Sequence, residues 1–287
     1  MNKIGFIGVG VMGKSMVRNL LKAGFTVQIF ARSREKVEDV IADGATFCAT
    51  IAECVKDCEA VITMVGFPRD VEEVYFTPGA IFDSADTGAY LIDMTTTSPS
   101  LSEQLYDAGT EKGFHMLDAP VTGGDVGARN GTLSILVGGD KADFDACVPL
   151  FQAMGTNINY QGSAGCGQHA KMANQIMVAT NLAGVCEALR YGQAKGLDLQ
   201  VMLSSLSTGA AGSKQLDVYA PRILSGNYAP GFFLKHFVKD LGLAADEAEK
   251  SGLSLEVLQQ TLDIAREVEA AGYGDCGNHI IMKYYEK

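Results

Sequence analysis

The chain has 287 residues, 47% of them hydrophobic and 20% charged, a balance that implies a substantial globular core and enough length for one large domain or two ordinary ones. Its 34 acidic residues outnumber 23 basic ones for a formal net charge of -11, which argues against nucleic acid or an anionic membrane surface as a partner while leaving room for a local basic site. No uninterrupted apolar stretch reaches the roughly 18 residues of a membrane-spanning helix, the opening MNKIGFIGVG lacks a cleavable signal, and a cytoplasmic location is the expectation.

KIGFIG at 3–8 predicts a first strand. VMGKSMVRNLLKAG follows as a helix, because Val11, Met12, Met16, Val17 and Leu20 recur at helical spacing, and Gly24 closes it as a C′ residue would. TVQIF predicts a second strand, SREKVEDVIADG a helix, and AVITMV a third strand; YLIDM, GFHMLDAP and TLSILVGG continue the alternation. Apolar strands alternating with helices predict an α/β fold, with a mostly parallel, doubly wound sheet covered on both faces. After about residue 160 the character changes. The residues from Gly165 to Gly196 contain no proline and read as one long helix, and DLGLAADEAEKSG and LEVLQQTLDIAREVEAAG are helical too. The expected division is an α/β domain over 1–162 and an all-α domain over 163–287, joined by the long helix.

GVGVMG at 8–13 places Gly8, Gly10 and Gly13 in a GxGxxG pattern between strand and helix. The first glycine allows a tight turn, the second lets the backbone approach a pyrophosphate, the third permits close helix packing, and the helix N-terminus offers N–H groups to the anion. Val11 and Met12 belong to the same turn, and Met64 and Val65, which end AVITMV, are assigned to the cofactor with them. A site for NAD usually offers an acid at the end of the second strand. Ala31 stands there instead, followed by Arg32, Ser33 and Arg34. Arg32 can grip a 2′-phosphate with its planar fork and Ser33 can add a hydrogen bond, so NADP is expected and NAD is less favoured.

LDAPVTGG at 117–124 follows a strand and so belongs at the carboxyl edge of the sheet, where such folds bind ligands. The Thr122 hydroxyl and the N–H groups of Gly123 and Gly124 suit a carboxylate, although the same residues read equally as a glycine turn. DMTTTSP at 93–99 ends another strand, from which Thr95 and Thr96 can reach the cofactor or cap the next helix. In GQHAKMANQ, Lys171, Asn174 and Gln175 stand at i, i+3 and i+4, three polar heads on one face that must meet either water or a polar site. A lysine in a closed, partly desolvated pocket can have its pKa lowered towards neutrality and protonate the alkoxide formed when a carbonyl accepts a hydride. His169 lies off the face of Lys171, His236 reads as packing before lining a cleft, and Phe232 and Phe233 read as helical-domain packing. Seven scattered cysteines without a CxxC pair read as reduced thiols, and no metal site is expected.

GFIGVGVMG, DAPVTGG, GCGQHAKMANQ and HFVKDLGLA occur in the order seen in the β-hydroxyacid dehydrogenases, which include 3-hydroxyisobutyrate dehydrogenase and tartronate semialdehyde reductase and are related to 6-phosphogluconate dehydrogenase. The chain resembles that family over essentially its whole length. The resemblance implies a Rossmann domain binding NADP, a helical domain after it, and an active site in the cleft between them. It implies reversible hydride transfer with a small β-hydroxyacid or its semialdehyde, such as 3-hydroxyisobutyrate, tartronate semialdehyde or succinic semialdehyde. Lys171 would be the general acid and base, Gln175 with Asn174 beside it would meet the substrate, and Thr122, Gly123 and Gly124 would hold its carboxylate. Lys239 would lie near nicotinamide and substrate, with Thr96 beside the nicotinamide, and the protein would be a homodimer or homotetramer. Two residues depart from the family pattern: Thr122 replaces a serine and Gln175 an asparagine, each keeping its hydrogen-bonding group and adding a carbon. The rival readings are a non-catalytic dinucleotide-binding sensor or scaffold, which would have no need of Lys171 and Lys239, and a reductase of a non-carboxylate substrate such as an imine, which DAPVTGG together with Lys171 disfavours.

Overall fold

Along β1 (Lys3–Ile7) the side chains alternate between two buried clusters, with Ile4 and Phe6 entering one and Ile7 the other. The same period of two divides Ala60 and Ile62 from Val61 on β4 (Ala60–Thr63), and Ile92 from Leu91 on β5 (Tyr90–Asp93). A strand buried on both faces can be apolar throughout, which explains why these segments read as continuous hydrophobic runs. The remaining strands are β2 (Thr26–Phe30), β3 (Thr46–Phe47), β6 (His115–Asp118), β7 (Val121–Thr122), β8 (Leu133–Gly139) and β9 (Gly155–Gly162).

The nine strands form one sheet in the order β3-β2-β1-β4-β5-β6-β8-β7, with β9 paired to β8. From β3 to β6 all neighbours are parallel; β8 then enters antiparallel to β6 and to β7, and β9 runs parallel to β8. The first six follow the 3-2-1-4-5-6 order of a doubly wound dinucleotide fold, whose order reverses between β1 and β4 and opens a crevice at their carboxyl ends.

The computed structural model describes residues 1–286. The chain falls into two compact units, Met1–Lys171 and the part from Met172 onward. In the second unit Leu182, Cys186 and Leu189 of the long helix, Cys166–Ala194, share a core with Phe237, Leu241 and Leu262 from the helices Leu234–Lys250 and Glu256–Val268. Helix starts there follow local chemistry: Asp198 accepts the N–H groups of Gln200 and Val201, and the Ser213 hydroxyl accepts that of Leu216. Among the described residues, no helix is long and apolar enough to cross a membrane.

Three details correct the sequence reading. AVITMV supplies the fourth strand rather than the third, because Thr46–Phe47 adds an edge strand beside β2. The helix expected over 33–44 is a short 3-10 turn, Glu35–Val37, running into Glu38–Ala42. β7 and β9 also escaped the pattern reading.

Candidate active site

The nucleotide edge begins at Gly8, whose φ of +97° favours glycine and where a Cβ would lie 2.3 Å from the Met64 carbonyl oxygen. A Cβ on Gly13 would lie 2.2 Å from the Gly8 carbonyl oxygen. Packing thus requires both of these glycines. Gly10 differs: a Cβ there would meet nothing within 4 Å, so nothing in the protein itself demands its bareness. The helix it precedes, Val11–Lys22, has no side-chain cap and no acid in its first turn, leaving N–H groups and a positive dipole end beside the β1–β4 crevice. A bare backbone in front of an uncapped helix start fits a pyrophosphate. Met64 continues β4, donating its N–H to the Ile7 carbonyl at 2.9 Å, and Val65 follows it.

Beyond β2, Ala31 stands where an acid would hold ribose hydroxyls. Arg32 projects into solvent with 85% of its side chain exposed, and its nearest acid is Asp70 at 3.9 Å. The Ser33 hydroxyl donates to Glu35 at 2.7 Å, which holds that carboxyl below its ordinary range.

The turn after β5 is fastened from two sides. Asp93 Oδ1 accepts the Thr63 hydroxyl at 2.7 Å and the Thr95 N–H at 3.1 Å, and the Thr95 hydroxyl accepts the Val65 N–H at 3.0 Å. From the long helix, the buried Gln168 donates its amide to the Thr95 carbonyl at 2.7 Å and accepts the Thr97 N–H at 3.1 Å. Thr95 is therefore consumed internally, whereas Thr96 is only partly buried. Neither caps the next helix, a role taken by Ser98.

Asp118, at the end of β6, caps the long helix: Oδ1 accepts the Gly165 N–H at 2.8 Å and Oδ2 that of Gln168 at 2.9 Å. Burial raises the pKa of this carboxyl, and the backbone N–H groups pull the other way. One turn further on, Lys171 is 7% exposed and its amine donates to the Val121 carbonyl oxygen at 2.8 Å. Thr122 comes next, partly buried, then Gly123 at φ +129° and Gly124 at φ +64°, successive conformations that favour glycine. The first unit thus brings the amine to the base of the TGG turn.

In the second unit Gln175 is buried and both ends of its amide are engaged. It accepts from Asn174 at 2.7 Å and donates to Asp240 at 2.7 Å, while Lys239 pairs with the other Asp240 oxygen at 2.7 Å. His169 is exposed on the helix, and Phe232 packs against the helical core.

Residues 3–162 match the family model for the NAD binding domain of 6-phosphogluconate dehydrogenase, and residues 165–285 match the one described as NAD-binding of NADP-dependent 3-hydroxyisobutyrate dehydrogenase. The chain belongs to the β-hydroxyacid dehydrogenase family. This dehydrogenase is 49% identical over 284 residues to the uncharacterized oxidoreductase YkwC of Bacillus subtilis, covering 99% of each chain. It is 42% identical to the probable 3-hydroxyisobutyrate dehydrogenase-like 1, mitochondrial, of Arabidopsis thaliana, over 99% of this chain and 85% of that one. The crystal structure of 3-hydroxyisobutyrate dehydrogenase from Salmonella typhimurium superposes with a TM-score of 0.91 at 26% identity, covering 99% of this chain and 100% of the other. It is an NAD(P)-dependent hydroxyacid dehydrogenase, taking a nicotinamide dinucleotide as cofactor.

Sequence reasoning singled out Lys171 and the glycines but not Asp93, Asp118 or Gln168, which hold this dehydrogenase's loops in place. A signal existed: YLID and HMLD each end an apolar strand on an acid, and a buried acid demands partners.

Proposed function

We propose that this dehydrogenase uses NADP and interconverts a small β-hydroxyacid with its semialdehyde, of the 3-hydroxyisobutyrate, tartronate semialdehyde or succinic semialdehyde type. The reading rests above all on the buried Lys171 amine, held by the Val121 carbonyl one residue before Thr122, Gly123 and Gly124. When bound, the reduced dinucleotide supplies the hydride that reaches the carbonyl carbon. Thr122 and the N–H groups of Gly123 and Gly124 hold the substrate carboxylate, and Lys171 protonates the oxygen as negative charge develops on it. In the oxidative direction the same amine takes that proton back. Gln175 and Lys239 serve the substrate side through their shared bonds to Asp240, with Asn174 beside them. Thr96, Met64 and Val65 complete the nicotinamide end, and Arg32 meets the 2′-phosphate. Seven free cysteines suit a reducing, cytoplasmic setting. Exposed Met177, Tyr191 and Val201 supply apolar surface for a homo-oligomer.

The test is a spectrophotometric panel of small semialdehydes and one cyclic imine, each with NADPH and with NADH. Turnover of a carboxylate-bearing semialdehyde with NADPH is expected. Reduction of the imine alone, or dinucleotide binding without turnover of any compound, would overturn the assignment, and a clear NADH preference would overturn the cofactor.

A further inference from the structure

The carboxyl of Asp93 lies in a chain of hydrogen bonds that crosses from one strand end to the next. Its Oδ1 takes the single hydroxyl proton of Thr63, so in the 3.3 Å contact between Thr63 and Tyr75 the tyrosine must be the donor. The same oxygen takes the Thr95 N–H, and the Thr95 hydroxyl reaches back to the Val65 N–H. One carboxylate oxygen therefore ties the end of β4 to the end of β5 on the carboxyl edge of the sheet. Met64, Val65 and Thr96 all lie on the tied segments. The other oxygen, Oδ2, is buried without a hydrogen-bond partner, and Asp93 lines a cavity of about 10 Å³ together with Ser102, Tyr106 and Asp118.

We propose that Asp93 is a positioning residue for the dinucleotide: as a carboxylate it locks the β4 and β5 turns together through Thr63 and Thr95, and protonation loosens that lock and weakens binding. This rests on the reading of Met64, Val65 and Thr96 as cofactor residues. The chemistry follows from hydrogen bonds to an ionised acceptor being roughly twice as strong as neutral ones. Burial and the nearby Asp118 charge push the Asp93 carboxyl up, against the Thr63 and Thr95 bonds that stabilise its ionised form, and it settles at about 6. The titratable groups facing it are Asp118, Tyr75 through Thr63, and Tyr106 across the cavity; burial holds both tyrosines protonated through this range.

Equilibrium binding of NADPH and of NADH to the full chain, followed by the fluorescence of the reduced nicotinamide from pH 5 to 8, tests the lock without turnover. NADH is the decisive probe, because it lacks the 2′-phosphate, whose own proton leaves near pH ~6. The wild-type Kd for NADH is expected to rise about tenfold as pH falls through 6, the scale of losing charge assistance on two bonds. Asp93→Ala should raise Kd at every pH. Asp93→Asn, which keeps a neutral acceptor and cannot titrate, should hold the Kd at every pH near the wild-type value at pH 5 and so abolish the acid limb. Thr95→Val leaves Asp93 in place and removes the oxygen that holds Val65, so it should raise Kd too, and it serves if Asp93→Ala does not fold. A folded Asp93→Ala or Thr95→Val protein with the wild-type Kd, or an Asp93→Asn protein that keeps the acid limb with NADH, overturns the proposal. If the wild type bound neither dinucleotide, the cofactor assignment itself would fail instead.

Discussion

The Lys171 amine donates a 2.8 Å hydrogen bond to the carbonyl oxygen of Val121, fixing a buried amine at the base of the turn formed by Thr122, Gly123 and Gly124. On the proposed mechanism this group serves the chemical step rather than cofactor capture. Lys171→Met, which keeps the bulk and drops the amine, should lower kcat by about 10²- to 10⁴-fold, the usual worth of a general acid or base. Its Kd for the dinucleotide should stay close to that of the wild type. Stopped-flow turnover beside a fluorescence binding titration would check both halves, and near-normal turnover would remove Lys171 from the mechanism.

Gly10 and Gly8 are expected to separate binding from folding. Gly10→Ala places its methyl where no protein atom lies within 4 Å, so the melting temperature should hardly move, while dinucleotide affinity should fall because the methyl occupies the approach to the helix start. Gly8→Ala meets the Met64 carbonyl and a strained φ, and should cost roughly 1–3 kcal/mol or more of stability. Thermal melts and binding titrations on the two variants give opposite patterns if the glycines have these distinct tasks.

On the proposed NADP reading, Arg32 is the residue that distinguishes the two cofactors. A charge-assisted hydrogen bond is worth about 1.5–3 kcal/mol, so Arg32→Ala should raise the KM for NADPH roughly 10- to 100-fold. The KM for NADH should barely change. Steady-state kinetics with both cofactors would decide the matter, and equal changes would show that Arg32 does not read the 2′-phosphate.

The raised pKa of Asp93 has a signed consequence for stability. Between its unfolded value near 3.9 and its folded value of about 6, the native state holds more of the proton than the unfolded state does, so stability falls as pH rises through that window. The cost is fully present above about pH 6 and amounts to roughly 3 kcal/mol, and it fades as pH drops towards 4. The stability of Asp93→Asn relative to wild type should therefore be greater at pH 7.5 than at pH 4.5. Urea denaturation at the two values measures it; a difference that does not change with pH would mean that Asp93 is not raised.

Local pattern carried much of the fold. GVGVMG between an apolar run and a helical run marked the first βαβ unit, and the long helix was readable because no proline interrupts it over nearly thirty residues. β3 and β7 were not readable, since two residues carry no periodicity and each strand exists only because a longer neighbour pairs with it. The site divides in the same way. Lys171 and the TGG turn stood out as polar or glycine features in local context, whereas the bonds from Gln168 to Thr95 and Thr97 join residues 73 and 71 positions apart, and only the folded sheet brings them together.

The clamp that Asp118 places on Gly165 and Gln168 turns the first turns of the long helix into a gauge of fixed length. Adding or deleting one residue between Gly165 and Lys171 would swing the lysine about 100° around the helical axis, away from Val121, however intact the rest of the protein remained. Insertions during divergence should therefore be excluded from these six steps and tolerated in surface loops elsewhere, while the side chains around a stationary amine remain free to be exchanged.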